Sequence, residues 1–168
     1  MHVRPATSAD FEAILALNEE SLAYLSPLSA GRLGDLHAKA AVHRVVEDNA
    51  TVIAFILVFR EGAAYDSQNY LWFAQRYKEF LYVDRIVVSR HARKSGAGSL
   101  LYRDLFAFAA RTAVPLVTCE YDVEPPNPSS ARFHSRFGFC EVGRQTVAGG
   151  TKVVSLQAAT IERVRNQP

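Results

Sequence analysis

The sequence has little of several features that would place the protein in a special class. It has two cysteines, Cys119 and Cys140, which indicates a chain without a disulfide framework. Its longest apolar run, residues 52–59, is far shorter than the roughly 20 residues that cross a bilayer. The formal net charge is only +2, so bulk charge does not indicate a nucleic-acid-binding protein. Residues 1–5 lack the apolar core of a secretory signal.

These absences predict a cytoplasmic protein with neither a membrane nor a nucleic acid as partner. The chain contains no internal repeat and no linker rich in proline or glycine. Its length of 168 residues and its apolar fraction of 49% are sufficient for one hydrophobic core. We therefore predict one domain over residues 1–168.

The predicted elements alternate between strands and helices. Residues 7–10 have the Ser/Thr-x-x-acid pattern of a helix start, and apolar residues at Phe11, Ile14, Leu15 and Leu22 continue a helical period. Residues 80–89 are apolar on both alternating faces, as in a central strand covered on both sides. Turn and terminator residues place the other elements: strands over 2–6, 41–47, 51–60 and 115–123, helices over 33–40, after Gly98 and after Asn127, and two strands around Gly149 and Gly150. The pattern predicts a mixed α/β domain.

A basic, glycine-containing segment, Arg93–Gly98, lies between the predicted buried strand and a helix. Backbone N–H groups converge at a helix N-terminus and bind anions, while glycine permits close approach. Arg90, Arg93 and Lys94 add positive charge to the same turn. A phosphate is the ligand that this segment favours; the alternative is a glycine turn with a solvated basic face.

Two sequence matches at the expected separation resemble the GNAT superfamily of N-acetyltransferases. The first is Arg93-x-x-Gly96-x-Gly98 after the strand ending in residues 86–88. The second is residues 127–139, an asparagine that opens a helix ending in Gly-Phe. The resemblance implies a single GNAT-like domain of the α/β (α+β) class. Its central sheet would be mixed, mostly antiparallel and twisted, with six to seven strands flanked by about four helices.

The resemblance also implies how acetyl-CoA would bind. The turn would bind the pyrophosphate of coenzyme A, and the exposed backbone of the preceding strand would pair with the pantetheine arm. Asn127 would hold the end of that arm and Phe133 would pack beside it; the alternative for Asn127 is a helix N-cap. The implied cofactor-binding residues are Ile86, Val88, Arg93, Lys94, Ser95, Gly96, Ala97, Gly98, Ser99, Asn127 and Phe133.

Transfer to an amine requires that the amine lose its proton. For a lysine-like amine this costs about 4–5 kcal/mol at pH 7, so a general base is expected. Asp84 is one candidate, because a carboxylate in an apolar strand is costly to bury unless it is paired or functional. Its alternative is a salt bridge, though not with Arg85, since neighbours on a strand face opposite ways. Glu120 is the other candidate, with simple solvation as its alternative.

His134 stands where many members of the family place a tyrosine that protonates the departing thiolate. A histidine can also donate a proton, so His134 is the predicted general acid, with packing beneath the cofactor as its alternative. Tyr121 and Tyr102 are further hydroxyl donors. Cys119 is predicted to be a small core residue.

Residues 65–82 are rich in aromatic side chains. We predict that they form a lid over the acceptor, with Tyr70, Trp72 and Tyr82 as substrate-binding residues; the alternatives are a cover for the sheet and a dimer contact. The predicted activity is acetyl transfer from acetyl-CoA directly to an amine, either of a small molecule or of a protein, with no metal. The alternative is a non-catalytic acyl-CoA-binding module. A homodimer is compatible with either function.

Overall fold

The computed structural model describes residues 1–161 and contains one seven-stranded sheet in the order β1-β2-β3-β4-β5-β7-β6. The strands are β1 (His2–Pro5), β2 (Val42–Asp48), β3 (Thr51–Arg60), β4 (Leu81–Val88), β5 (Leu116–Glu124), β6 (Cys140–Val147) and β7 (Lys152–Thr160). The α-helices are α1 (Phe11–Glu19), α2 (Ala30–Lys39), α3 (Gln68–Ala74), α4 (Ala97–Arg111) and α5 (Pro128–Ser135). Short 3₁₀ turns lie at Ser8–Asp10, Arg90–Ala92 and Ala148–Gly150.

This architecture confirms the predicted α/β class with a mostly antiparallel sheet. The pairs β1–β2, β2–β3, β5–β7 and β6–β7 are antiparallel, whereas β4 and β5 are parallel. Packing divides the chain into two compact units. The first comprises Met1–Phe59 with Val83–Leu105, and the second comprises Arg60–Tyr82 with the described chain from Phe106 onward.

Local signals explain the elements of the first unit. The Thr7 N–H donates to the Asp10 carboxylate at 2.8 Å, which completes the capping box ahead of α1. Helix α1 ends at Glu19, so Leu22 lies beyond it and is 39% exposed, contrary to the predicted helical period. The turn between β2 and β3 consists of Asn49 and Ala50, both with positive φ, as a two-residue hairpin turn requires.

Aromatic side chains fill the core of the second unit. Tyr70, Phe73, Phe80 and Tyr82 are each at most 1% exposed, and their ring centroids lie 5.6–6.4 Å apart where they contact one another. Two of these rings come from α3, a helix that the four predicted helices did not include. Helix α3 is only seven residues long and is capped by the Ser67 side chain, so its helical period is too short to recognise.

Strand β6 approaches α3 at a glycine. A Cβ atom built on Gly143 would lie 2.6 Å from Cζ2 of Trp72, closer than side-chain atoms can approach without a shift. The Arg76 guanidinium covers the Trp72 ring at 3.8 Å from its centroid, so the indole lies between an arginine and a strand backbone. The absence of a side chain at Gly143 therefore sets how closely α3 packs on β6.

Gly143→Ala is expected to destabilise the protein by about 1–3 kcal/mol, because the new methyl group overpacks against the indole. Gly34→Ala is the matched control: Gly34 lies in α2, where a Cβ meets nothing within 4 Å, and alanine there is expected to stabilise the helix by about 0.5–1 kcal/mol. Urea unfolding measures the free energy of unfolding of both variants. Equal changes in that free energy for the two substitutions would contradict the packing described for Trp72.

A histidine pair joins α2 to β2. The Nδ1 atoms of His37 and His43 are 2.8 Å apart, and His43 is 6% exposed. Burial and the neighbouring His37 lower the pKa of His43 to about 4, against a smaller opposing effect of Asp10. His43 is therefore neutral in the folded protein near pH 7, with its ring held by one hydrogen bond.

The stability of the protein is expected to fall as the pH drops from about 6.5 to about 4. In this window the unfolded chain binds a proton at His43 and the folded chain does not. The free energy of unfolding should therefore fall by on the order of 3 kcal/mol across the window. His43→Gln should flatten this part of a stability–pH curve, whereas His2→Gln, which changes an exposed side chain, should not. The same slope in both variants would show that His43 is not its source.

Candidate functional site

The turn between β4 and α4 has the backbone shape that the sequence predicts for an anion site. Lys94 and Gly96 adopt positive φ values of 68° and 94°, and α4 begins at the next residue, Ala97. A Cβ built on Gly96 would meet no atom within 4 Å, so the glycine leaves open space at the start of the helix. The positive φ, rather than crowding, is the reason for glycine at this position.

The first turn of α4 offers N–H groups to a ligand. Ser95 Oγ accepts from the Ala97 N–H at 3.2 Å, and the Leu100 N–H donates to the Gly96 carbonyl at 3.0 Å. Between them, the N–H groups of Gly98 and Ser99 have no acceptor within residues 1–161, as is usual in the first turn of a helix. Exposed Arg93 and Lys94 precede these donors. The arrangement fits a phosphate group.

Arg90, predicted to add charge to this turn, also has a structural partner. Its backbone N–H donates to the Glu20 carboxylate at 2.8 Å, and its Nη2 donates to the Glu20 carbonyl at 2.7 Å. Arg90 therefore anchors the turn to the end of α1. Arg90 is itself exposed and keeps its charge, so it adds to the positive charge of Arg93 and Lys94.

Strand β4 leads into this turn with an alternating pattern of exposure. Ile86 and Val88 are half-buried, whereas Arg85 and Val87 are buried. The two residues predicted to contact a cofactor through their backbone thus share the less buried face of the strand. Their contact with a cofactor stays a prediction.

Asp84 forms a salt bridge with Arg85, the partner that sequence reasoning excluded. Arg85 Nε lies 3.2 Å from Asp84 Oδ2, and each side chain is 7% exposed. Neighbouring Cβ atoms on a strand do point to opposite faces, but the arginine side chain is long enough to bring its Nε back to the carboxylate. The exclusion of Arg85 was therefore wrong, and the salt-bridge alternative for Asp84 is correct.

Arg85 has three further contacts that the sequence did not indicate. Its Nη1 donates to Asn18 Oδ1 at 2.7 Å and to the Ser26 carbonyl at 2.8 Å, and its Nη2 donates to Ser26 Oγ at 2.8 Å. These partners are 59 and 67 residues away along the chain. The only sequence signal was an arginine inside an apolar strand, which identifies a buried charge but not its partners.

In the second unit, Asn127 caps α5. Its Oδ1 accepts from the Ser130 N–H at 3.1 Å, and its own N–H donates to the Asp122 carbonyl at 3.0 Å. The N-cap alternative is therefore correct, and it leaves the side-chain amide group as a donor. Asn127 also lines a pocket of about 110 Å³ together with Tyr121, Asp122, Val123, Pro126, Pro128 and Ala131.

Phe133 and His134 belong to an aromatic group between α5 and β5. Phe133 is half-buried, with its ring centroid 5.3 Å from Phe137 and 5.5 Å from His134. The His134 ring lies 5.6 Å from Tyr121, which itself lines the pocket beside Asn127. The structure thus brings Asn127, Tyr121 and His134 into one neighbourhood.

The hydrogen bonds of His134 determine its tautomer. Its Nδ1 lies 2.7 Å from the Ser130 carbonyl oxygen, which can only accept, so Nδ1 carries the proton. Burial lowers the pKa of His134, and the side chain is 4% exposed. The ring is accordingly neutral near pH 7, with Nε2 as an acceptor. This geometry favours the packing alternative over a proton donor.

Glu120 receives a hydrogen bond from Tyr82, whose Oη lies 2.9 Å from Oε1. Sequence reasoning placed Tyr82 against substrate and Glu120 either at the reaction or in solvent. The two side chains contact each other within the second unit, and the role of Glu120 in a reaction stays a prediction. The register that places Tyr82 opposite Thr118, two residues before Glu120, could not be derived from the sequence.

The predicted aromatic lid is mostly core. Tyr70 is 1% exposed, and its hydroxyl donates to the Arg60 carbonyl at 2.8 Å and accepts from the Ala63 N–H at 2.9 Å. Tyr82 is fully buried. Cover of the sheet, the stated alternative, therefore describes these two residues. Trp72 is partly exposed, as are Tyr65 and Tyr77 of the same segment. Tyr102 and Cys119 are also core residues, at 0% and 2% exposure.

Two other features are absent from the described part of the chain. Residues 1–161 contain no group of three or more histidine, cysteine, aspartate or glutamate side chains that could hold a metal ion. None of the helices among them is long and apolar enough to cross a membrane.

The profile described as "Acetyltransferase (GNAT) family" matches residues 10–139. The chain belongs to this family. The match includes both the turn before α4 and helix α5, the two segments on which the resemblance rested. No curated protein sequence matches the chain.

Solved structures share the GNAT fold over nearly the whole chain. Ard1 from Thermoplasma volcanium has a TM-score of 0.78 at 15% identity and covers 96% of this chain and 97% of its own. The ribosomal-protein-S18-alanine N-acetyltransferase from Escherichia coli has a TM-score of 0.73 at 13% identity, with 99% and 97% covered. Naa20 from Chaetomium thermophilum, in complex with a bisubstrate analogue, has a TM-score of 0.78 at 19% identity, with 97% and 88% covered. At these identities the likeness shows the fold.

Arg85→Met is expected to destabilise this GNAT domain by about 3–5 kcal/mol, because it leaves the Asp84 carboxylate buried without its counter-charge. Arg44→Met is the control: Arg44 pairs with Asp104 at 3.4 Å with both side chains at least 25% exposed, and should cost less than about 1 kcal/mol. Urea unfolding of both variants gives the comparison. A similar small loss in each would contradict the role assigned to Arg85.

Proposed function

We propose that the protein is an N-acetyltransferase that moves an acetyl group from acetyl-CoA directly to an amine in a ternary complex. The observation that carries the proposal is the turn before α4, where Gly96 has positive φ and the N–H groups of Gly98 and Ser99 have no acceptor among residues 1–161. Membership of the GNAT acetyltransferase family supports the same activity. Acetyl-CoA would supply the acetyl group as a thioester.

Each part of coenzyme A has candidate partners in the chain. The pyrophosphate would accept from the N–H groups of the turn, beside the charges of Arg93 and Lys94. The pantetheine arm would meet the half-buried face of β4 and the side-chain amide of Asn127, with Phe133 alongside. The residues proposed for the cofactor are Ile86, Val88, Arg93, Lys94, Ser95, Gly96, Ala97, Gly98, Ser99, Asn127 and Phe133.

Glu120 is the general base that the contacts favour. Tyr82, a neutral partner, fixes the orientation of its carboxylate without bringing a counter-charge. Asp84, in contrast, is bound in an ion pair with Arg85, which stabilises its charged form and gives it a structural role. The proposed step is proton transfer from the ammonium form of the acceptor to the Glu120 carboxylate, which leaves the amine able to attack.

Tyr121 is the proposed donor to the departing thiolate, in place of His134. Its ring lines the pocket beside Asn127 and contacts the His134 ring at 5.6 Å. Neutral His134 donates through Nδ1 to its own helix, so we assign it to packing and to acceptance through Nε2. A tyrosine hydroxyl has the proton that this role needs.

The acceptor is an amine of a small molecule or of a protein. An α-amine has a pKa of about 8, so its deprotonation at pH 7 costs only about 1 kcal/mol and depends less on Glu120 than that of a lysine-like amine. Of the three residues predicted to bind substrate, Trp72 on α3 is the one that is partly exposed, and we propose it for a substrate contact. A cytoplasmic location, the absence of nucleic acid as a partner and a homodimer stay predictions.

One alternative function is a non-catalytic module that binds acyl-CoA. The tautomer of His134 favours it, because the side chain at the family's tyrosine position does not present a proton. Measuring the turnover of acetyl-CoA distinguishes the enzyme from the non-catalytic module. Release of free thiol from acetyl-CoA in the presence of spermidine, lysine or peptides with a free α-amine supports the enzyme, whereas binding of acetyl-CoA without release for any of them supports the module.

Gly96→Val is expected to lower the affinity for coenzyme A at least about tenfold, because valine cannot adopt the positive φ that shapes the turn. Gly62→Val is the matched control, since Gly62 also has positive φ, 77°, with nothing within 4 Å of a built Cβ, and lies in the loop after β3. Isothermal titration calorimetry measures the affinity of each variant for coenzyme A. Unchanged affinity in Gly96→Val, or an equal loss in Gly62→Val, would contradict the proposed cofactor turn.

A further inference from the structure

The contact between Tyr82 and Glu120 is fixed by the pairing of two strands. Strands β4 and β5 pair in parallel, with Leu81 opposite Val117 and Tyr82 opposite Thr118. Alternation along β5 places Thr118 and Glu120 on one face of the sheet. Tyr82 therefore needs to reach only two residues along that face, and its Oη meets Glu120 Oε1 at 2.9 Å.

The Tyr82 ring is immobilised by its neighbours. It is fully buried, and its centroid lies 5.6 Å from Tyr70, 5.9 Å from Phe73 and 6.5 Å from Tyr65. Tyr70 is itself bound to the backbone at Arg60 through its hydroxyl. Because the ring is held on several sides, the position of its hydroxyl is fixed, and with it the orientation of the carboxylate that accepts from it.

We propose that Tyr82 is the positioning residue of the general base, holding Glu120 Oε1 through its buried hydroxyl. This inference rests on the proposed function, because it assigns Tyr82 to the base of that reaction. A phenol is a far weaker acid than a carboxylic acid, so the shared proton stays on the Tyr82 oxygen. The carboxylate then takes its proton from the acceptor: an N–H bond of the ammonium breaks, an O–H bond forms on Glu120, and the electron pair stays on nitrogen.

The consequence is a dependence of the reaction on pH that packing alone would not produce. A hydrogen bond donated to an ionised carboxylate stabilises the ionised form. Loss of the Tyr82 hydroxyl should therefore move the acid limb of the kcat/KM profile to higher pH, by roughly one pH unit. It should also lower kcat about tenfold, since the base loses its fixed orientation, with KM for acetyl-CoA unchanged.

The test compares Tyr82→Phe with Phe73→Leu in the full-length protein. Tyr82→Phe removes only the hydroxyl, whereas Phe73→Leu disturbs the same aromatic core and leaves the hydroxyl in place. With acetyl-CoA and the amine that the wild-type protein turns over fastest, Tyr82→Phe should shift the acid limb and Phe73→Leu should not. Thermal unfolding is expected to show the larger loss of stability in Phe73→Leu.

A second measurement requires no acceptor. In protein labelled with ¹³C at the glutamate carboxyls, the resonance missing from Glu120→Gln identifies Glu120, and its titration midpoint should rise in Tyr82→Phe. If the wild-type protein transfers no acetyl group to any amine, the proposed function fails while this titration still tests the contact. If it does transfer acetyl groups and Tyr82→Phe keeps the wild-type pH profile and the wild-type titration midpoint, the inference is overturned.

Discussion

Three polar side chains in the buried strand β4, Tyr82, Asp84 and Arg85, need hydrogen-bond or ion-pair partners. Their partners connect β4 to other elements of the fold. Arg85 forms an ion pair with Asp84 and hydrogen bonds with Asn18 and Ser26, and so connects β4 to α1 and to the segment after α1. The Tyr82 hydroxyl donates a hydrogen bond to the Glu120 carboxylate on β5. Each unsatisfied group would cost about 1–3 kcal/mol or more, a large fraction of the roughly 5–15 kcal/mol net stability of a domain.

The end of the same strand determines where a phosphate can bind. After Val88 the chain makes a 3₁₀ turn, with Arg90 held by Glu20, and enters α4 through the positive φ of Gly96. The contacts of Arg90 with Glu20 anchor the turn, while the side chains of Arg90, Arg93 and Lys94 are all exposed. In this chain the GNAT signature is therefore a connection anchored at Glu20 that ends in N–H groups with no acceptor in the described residues.

The sequence predicts those parts of the fold that depend on local signals. The capping box at Thr7, the two strands on either side of residues 48–50 and the N-cap at Asn127 each depend on residues within a few positions of one another, and the structure contains all three. Helix α3 was missed because seven residues are too few to show a helical period. Aromatic residues in this segment are compatible with a substrate lid and with a core. The burial of Tyr70 and Phe73 in the structure is what identifies them as core residues.

The contacts within the candidate site depend on register and on long side chains, which the sequence does not reveal. Strand alternation correctly separates the Cβ atoms of Asp84 and Arg85, yet it says nothing of an arginine that folds back. The partnership of Tyr82 with Glu120 required the parallel pairing of β4 with β5. Likewise, the tautomer of His134 follows from one carbonyl oxygen in α5. These three contacts depend on register and on side-chain conformation, which residue type and spacing do not specify.

The measurement that tests the central claim most directly is an amide ¹H–¹⁵N spectrum of the protein titrated with coenzyme A. If the turn before α4 binds the pyrophosphate, the largest shifts should occur at the N–H groups of Gly96, Gly98 and Ser99, because these donors would gain a charged acceptor. Large shifts confined to other residues, with these three amides unmoved at saturation, would contradict the account.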